Sequence, residues 1–93
     1  MYTLTLYTHP WCSDCQLSKQ ELTEAGVPYT EVNLSEQPEK EAALRKATGA
    51  RVVPGFVFQK RSLLGKMQKP VVFTGYEQNK AEIMTMVKQV KTS

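Results

Sequence analysis

The stretch Thr8-His9-Pro10-Trp11-Cys12-Ser13-Asp14-Cys15 sits where a strand pattern gives way to a helical one, and its reading decides the fold of this 93-residue chain. Upstream, Tyr2 to Tyr7 alternates polar and apolar residues, the period of a half-buried strand. Thr8-His9-Pro10 interrupts regular pairing. Downstream, the spacing predicts a helix from about Ser13 to Ala25, where Gly26 suits a left-handed helix end and Pro28 blocks continuation. Cys12 is thereby placed at a helix N-terminus, where unpaired backbone N–H groups and the positive end of the macrodipole favour thiolate over thiol. Cys15 falls one turn later on the stripe Cys15, Leu22 and Ala25, so its sulfur is expected to face the core. That geometry assigns roles: Cys12 attacks a disulfide to form a mixed disulfide, and Cys15 resolves it, leaving an intramolecular disulfide. Asp14, between them, is expected to oppose thiolate formation by like-charge repulsion, offset in part because a helix N-terminus welcomes an anion.

Working outward, the periodicity predicts the order β-α-β-α-β-β-α in one domain spanning 1–93. The second strand runs from Tyr29 to Leu34. Ser35 to Gln37 form a turn, and Pro38 suits the first turn of a helix because its missing N–H would be unpaired there. That helix is expected to send Ala43, Leu44 and Ala47 inward, to pair Glu41 with Arg45 outside, and to stop at Gly49. Gly55 to Gln59 and Pro70 to Thr74 are predicted to pair antiparallel, since the intervening Lys60 to Lys69 is too short for a helical crossover. Leu63, Leu64 and Met67 within that loop, among lysines and arginines, suggest an apolar knob for a protein partner. The last helix, about Glu77 to Lys91, carries Ile83, Met86, Val87 and Val90 at amphipathic spacing, which makes Met84 and Met86 core filler. A parallel first pair of strands and an antiparallel second pair give an α/β fold with a mixed four-stranded sheet flanked by three helices.

Composition narrows the function classes. With 41% hydrophobic and 23% charged residues the chain reads as globular, not disordered. No segment approaches the roughly 20 apolar residues of a membrane span, and the alternating opening reads as a strand and not as a signal peptide, so a cytoplasmic location without membrane contact is expected. In a reducing cytosol two cysteines point to redox or metal chemistry more than to a structural bridge, and the tiny loop they close would stabilise little. Tetrahedral zinc lacks ligands, since after Cys12, Cys15 and His9 the sequence holds no other Cys or His. An iron-sulfur cluster shared between two copies stays open as an alternative. The net charge of +3 is concentrated between Ala42 and Tyr76, which contain no acidic residue. The basic residues there follow no nucleic-acid recognition motif, so an acidic protein surface or the carboxylates of a small thiol are the expected target, not nucleic acid.

The Cys12-Ser13-Asp14-Cys15 motif after the first strand, Val52-Val53-Pro54 before the third, and Thr74-Gly75-Tyr76-Glu77 before the last helix together resemble the glutaredoxin family of the thioredoxin superfamily, including the redoxins that serve ribonucleotide reductase. The resemblance covers essentially the whole chain. It implies a thioredoxin-like fold and a dithiol disulfide reductase acting on disulfide-containing proteins or mixed disulfides. It implies no tightly bound cofactor, a monomeric protein, and glutathione, another low-molecular-weight thiol or thioredoxin reductase as electron donor. It also implies a cis Val53-Pro54 bond beside the cysteines, with the Val53 backbone pairing with a bound thiol peptide. From the residues alone, Pro54 fits equally as a proline opening a strand. Carried over residue by residue, the thiol-binding positions are His9, Trp11, Arg51, Val53, Pro54, Gly75, Tyr76 and Glu77. The pattern departs from the family's usual one: His9 stands for Lys or Arg, Thr74 for the first of two glycines, and Glu77 for an Asp that holds the ligand's amino group. Trp11 is more typical of thioredoxins.

Overall fold

The computed structural model describes residues 2–60 and 69–91. Strand β1 (Tyr2–Thr8) leads into helix α1 (Ser13–Glu24), followed by β2 (Thr30–Asn33), a 3-10 turn (Pro38–Lys40) and α2 (Glu41–Thr48). The chain then forms β3 (Gly55–Lys60), β4 (Val71–Thr74), a second 3-10 turn (Glu77–Asn79) and α3 (Lys80–Lys91). The four strands lie in the order β2-β1-β3-β4, with β1 parallel to β2 and antiparallel to β3, and β3 antiparallel to β4. This is the mixed sheet expected from the residue pattern. The expected docking knob at Leu63, Leu64 and Met67 lies outside the described residues.

The pleat explains how the sheet is covered. On β1 the side chains of Leu4, Leu6 and Thr8 are buried on one face, and register sets Leu6 opposite Phe56 and Leu4 opposite Phe58. Residues directly opposite in an antiparallel pair share a face, so these four build a single apolar floor. Leu22 of α1 and Ile83, Val87 and Val90 of α3 close over it. Met84 and Met86 pack partly buried against the same cluster, as filler.

Gly55 belongs to the opposite face, one residue out of phase with Phe56. There Leu44 of α2 is wholly buried, and a Cβ on Gly55 would stand only 2.6 Å from its Cδ1. Leu44 therefore seats on bare backbone. Two expectations for α2 are corrected. Ala43 is exposed and Ala47 only half-buried, because a helix of eight residues makes about two turns and brings a single position squarely onto the sheet. Glu41 pairs with Arg51 and not with Arg45: the left-handed turn at Gly49 (φ 78°) reverses the chain and brings the Arg51 Nε to 2.8 Å from the Glu41 carboxylate. A third correction concerns the last helix, which opens as a 3-10 turn at Glu77 and becomes α-helical only at Lys80.

Candidate active site

Three segments far apart in sequence meet at the end of β1. The chain leaves the sheet after Thr8, and a turn closes on itself as the Cys12 N–H donates to the His9 carbonyl at 3.1 Å. The His9 ring takes part, accepting from the Trp11 N–H through Nδ1 at 3.4 Å. Cys12 then acts as the N-cap of α1, with extended backbone (φ −98°, ψ 107°) and its Sγ accepting from the Cys15 N–H at 3.1 Å. Cysteine thus does what Ser or Asp commonly does at this position, and the donated N–H bears on the sulfur itself. Trp11 beside it is 87% exposed.

The two thiols have different surroundings. Cys12 is half-buried and Cys15 has 0% exposure; both are free. Burial pushes the Cys15 thiol up to about 12, helped by its hydrogen bond with Cys12; the His9 backbone opposes this, and the negative charges of Cys12 and Asp14 add smaller upward pushes. Cys15 thus favours the protonated thiol more strongly than an exposed cysteine does. The inward stripe of α1 proves to be Cys15, Ser18 and Leu22, with Ala25 half-buried at its end. Ser18 tolerates burial because its hydroxyl donates to the Asp14 carbonyl at 2.7 Å.

The Val53-Pro54 bond is cis. Pro54 is buried and Val53 half-buried, while Val52 just before them is 47% exposed. The Pro54 carbonyl accepts from the Gly75 N–H at 2.9 Å. Gly75 is buried with φ 85°, a conformation that a residue bearing Cβ rarely adopts. The next residue completes a chain of contacts: the Tyr76 N–H donates to Asp14 Oδ2 at 2.8 Å. Asp14 therefore does more than repel its neighbours, as the residue pattern alone suggested. Its carboxylate fastens the cysteine helix to the Gly75-Tyr76 turn, and through Gly75 to the cis proline.

Tyr76 itself is buried, stacked on Phe56 with ring centroids 5.9 Å apart. Its hydroxyl donates to Glu21 Oε1 at 2.8 Å, and Lys80 reaches the same carboxylate at 3.2 Å while lying 5.8 Å from the Tyr76 ring centre. The Tyr76 hydrogen bond and Lys80 hold the Glu21 carboxyl below its usual range. Burial, and then Glu21, raise the Tyr76 phenol above its own. A second polar tie joins Thr8, whose hydroxyl donates to Glu31 at 2.7 Å, and Lys19, 3.1 Å from the same carboxylate. Desolvation pushes the Glu31 carboxyl up, but Thr8 and Lys19 outweigh it and the net shift is downward. Glu21 and Glu31 were not singled out in the sequence. For Glu21 a signal was present: it lies seven residues after Asp14, on the same helix face.

Of the expected site residues, Cys12, Cys15, Pro54, Gly75 and Tyr76 are thus brought together by hydrogen bonds. Glu77 is exposed and lines a cleft of about 310 Å³ with Ser13, Asp14 and Leu17. Arg51 is exposed and engaged with Glu41.

Comparison with known proteins identifies the family and the fold. A family model described as Glutaredoxin matches residues 4–62, more than half of the chain. A glutaredoxin of Neisseria meningitidis serogroup A is 38% identical over 55 residues, covering 58% of this chain and 65% of that protein, so the match spans just under two thirds of the relative's length. Trichomonas vaginalis thioredoxin superposes with a TM-score of 0.65 at 20% identity, covering 95% of this chain and 78% of the other. A buckwheat glutaredoxin-glutathione complex gives 0.60 at 20% identity, covering 97% and 80%. At such identities the structural likeness establishes the thioredoxin fold.

Proposed function

The chain belongs to the glutaredoxin family, and from that premise we propose that it is a dithiol thiol-disulfide oxidoreductase in which Cys12 is the nucleophile and Cys15 the resolving thiol. The observation that carries this reading is the asymmetry of the pair: a half-buried Cys12 at a helix N-cap, with a Cys15 of 0% exposure one turn behind it.

The Cys12 thiolate attacks one sulfur of a substrate disulfide. A Cys12–substrate S–S bond forms, the substrate's own S–S bond breaks, and one substrate sulfur leaves as thiolate. Cys12 then no longer carries charge, and its share in raising Cys15 disappears, leaving burial and Asp14 as what holds the Cys15 proton. The departing thiolate accepts that proton. The Cys15 thiolate attacks Cys12 Sγ, expelling the second substrate sulfur and leaving a Cys12–Cys15 disulfide. The two electrons gained by the substrate are those lost by the two cysteines.

A donor thiol must reduce that disulfide, and the proposed donor is glutathione or another low-molecular-weight thiol. Support comes from family membership and from the cleft where Glu77 lies beside Ser13 and Asp14, an environment suited to the amino group of a small thiol peptide. The Val53 backbone would pair with such a peptide as an added strand would, with Trp11 and His9 flanking the nucleophile and Arg51 offering a cation after leaving Glu41. A coupled assay with NADPH distinguishes glutathione plus its reductase from thioredoxin reductase; turnover with the latter alone would overturn the small-thiol donor. We further propose a cytoplasmic, monomeric protein, checked by cell fractionation and sedimentation.

The decisive experiment on the reaction itself is disulfide reduction by three proteins. Wild type turns over, Cys12→Ser is inactive, and Cys15→Ser accumulates a covalent adduct with a disulfide substrate. Retained turnover in Cys12→Ser would overturn the assignment.

A further inference from the structure

We infer that Asp14 is a positioning residue that sets the substrate-facing groove of the thiol site, by holding the Gly75-Tyr76 turn, and with it the Val53-Pro54 segment, against the cysteine helix. The inference rests on the oxidoreductase reading above and adds to it a residue between the two cysteines whose principal task is geometric.

Two hydrogen bonds in series make the connection. Asp14 Oδ2 accepts from the Tyr76 N–H at 2.8 Å, and the Gly75 N–H, one residue earlier, donates to the Pro54 carbonyl at 2.9 Å. The Asp14 end is itself fixed, because its carbonyl accepts the hydroxyl of Ser18, which has 0% exposure. The Tyr76 end is fixed by a ring with 1% exposure and a hydroxyl held by Glu21. The Tyr76 hydroxyl on Glu21 is a second tie to the cysteine helix, but it holds the ring; the Asp14 carboxylate is the tie that holds the backbone of the turn, and through Gly75 the proline segment, at one separation from that helix. A charged acceptor makes that link stronger than a neutral pair would. The position also explains how an acid is accommodated between two thiols: part of its charge is committed to a backbone donor on another element.

The charge and the hydrogen bond are separable by mutation. Asp14→Asn removes the charge and keeps an oxygen acceptor of the same reach, Asp14→Ala removes both, and Asp14→Ser removes the charge and leaves a hydroxyl one bond too short to reach the Tyr76 N–H. Any effect of charge on the thiols is shared by all three variants; loss of the link is confined to Ala and Ser. In Asp14→Ala and Asp14→Ser the KM for a disulfide substrate is expected to rise about tenfold with a smaller change in kcat, and the Tyr76 amide to exchange with deuterium about tenfold faster, the scale of losing one hydrogen bond to a charged group. Asp14→Asn is expected to restore both. Equal behaviour of Asn and Ala, or unchanged Tyr76 exchange in Ala and Ser, would overturn the inference. Amide exchange requires no turnover, so a wild-type protein that reduced no disulfide would sink the functional reading while exchange still decided whether Asp14 holds the turn.

Discussion

Replacing Gly55 by Ala tests how the proline segment is seated on the sheet. The new Cβ would lie 2.6 Å from Leu44 Cδ1, while its next neighbours, Tyr7 Cβ at 3.5 Å and the Val52 carbonyl at 3.6 Å, are in ordinary contact. The clash is therefore with one side chain. Leu44 has 0% exposure, so the roughly 1 Å of retreat needed for normal carbon contact must displace α2 or force an unfavourable rotamer. Overpacking of this kind costs about 1–3 kcal/mol. For a domain of this size that is a fall in Tm of roughly 4–8 °C per kcal/mol. Leu44→Ala alone leaves a cavity and costs about 2–5 kcal/mol. In the double variant the added methyl enters space that Leu44 has vacated, so its loss should be no larger than that of Leu44→Ala. The coupling is then about 1–3 kcal/mol in favour of the double variant, far beyond the ~0.5 kcal/mol scatter of independent sites. Urea unfolding of the four proteins followed by circular dichroism measures it. Additive losses, or Gly55→Ala at wild-type stability, would refute the claim that Leu44 is locked onto bare backbone.

Other consequences follow from the polar groups. Because burial raises the folded-state Cys15 thiol from 9.0 to about 12, its contribution to the stability of the reduced protein is intact below pH 9 and lost as pH climbs toward 12; Cys15→Ala should flatten that part of the stability curve of reduced protein. Glu21 is shifted the other way, so its contribution is present above the ordinary carboxylate range and lost as acid protonates it; Tyr76→Phe, which removes the first cause of that shift, should move the acid-unfolding midpoint to higher pH, and an unchanged midpoint would contradict the assignment. The Arg51–Glu41 pair is exposed on both sides, so Arg51→Ala should alter stability by no more than about 1 kcal/mol; a larger loss by urea unfolding would show a structural role that the geometry does not give it.

The elements legible in the sequence were those with strong local signals. Alternation from Tyr2 to Tyr7, helix-spaced Ile83, Val87 and Val90, and the stops at Gly26 and Gly49 carried the element order, and connection lengths carried the strand directions; the first strand runs one residue beyond its expected end, with Thr8 still paired to Asn33. Cys15 was readable as the buried thiol because its helix stripe continues through Leu22. What escaped were contacts that only tertiary structure creates. Glu41 faced Arg45 by helix spacing, yet the turn at Gly49 delivered Arg51 instead. Asp14 was read from its neighbours in sequence as a repelling charge, whereas its backbone donor lies 62 residues away. The cis form of Val53-Pro54 was legible only through family resemblance, since a proline opening a strand reads the same way.

The central claim, that one sulfur is presented and the other held in reserve, is tested most directly by brief alkylation of the fully reduced protein with iodoacetamide at pH 7, followed by peptide mass spectrometry. The account predicts a carbamidomethyl group on Cys12 while Cys15 stays unmodified until the protein is unfolded. Equal labelling of both cysteines, or faster labelling of Cys15, would contradict it.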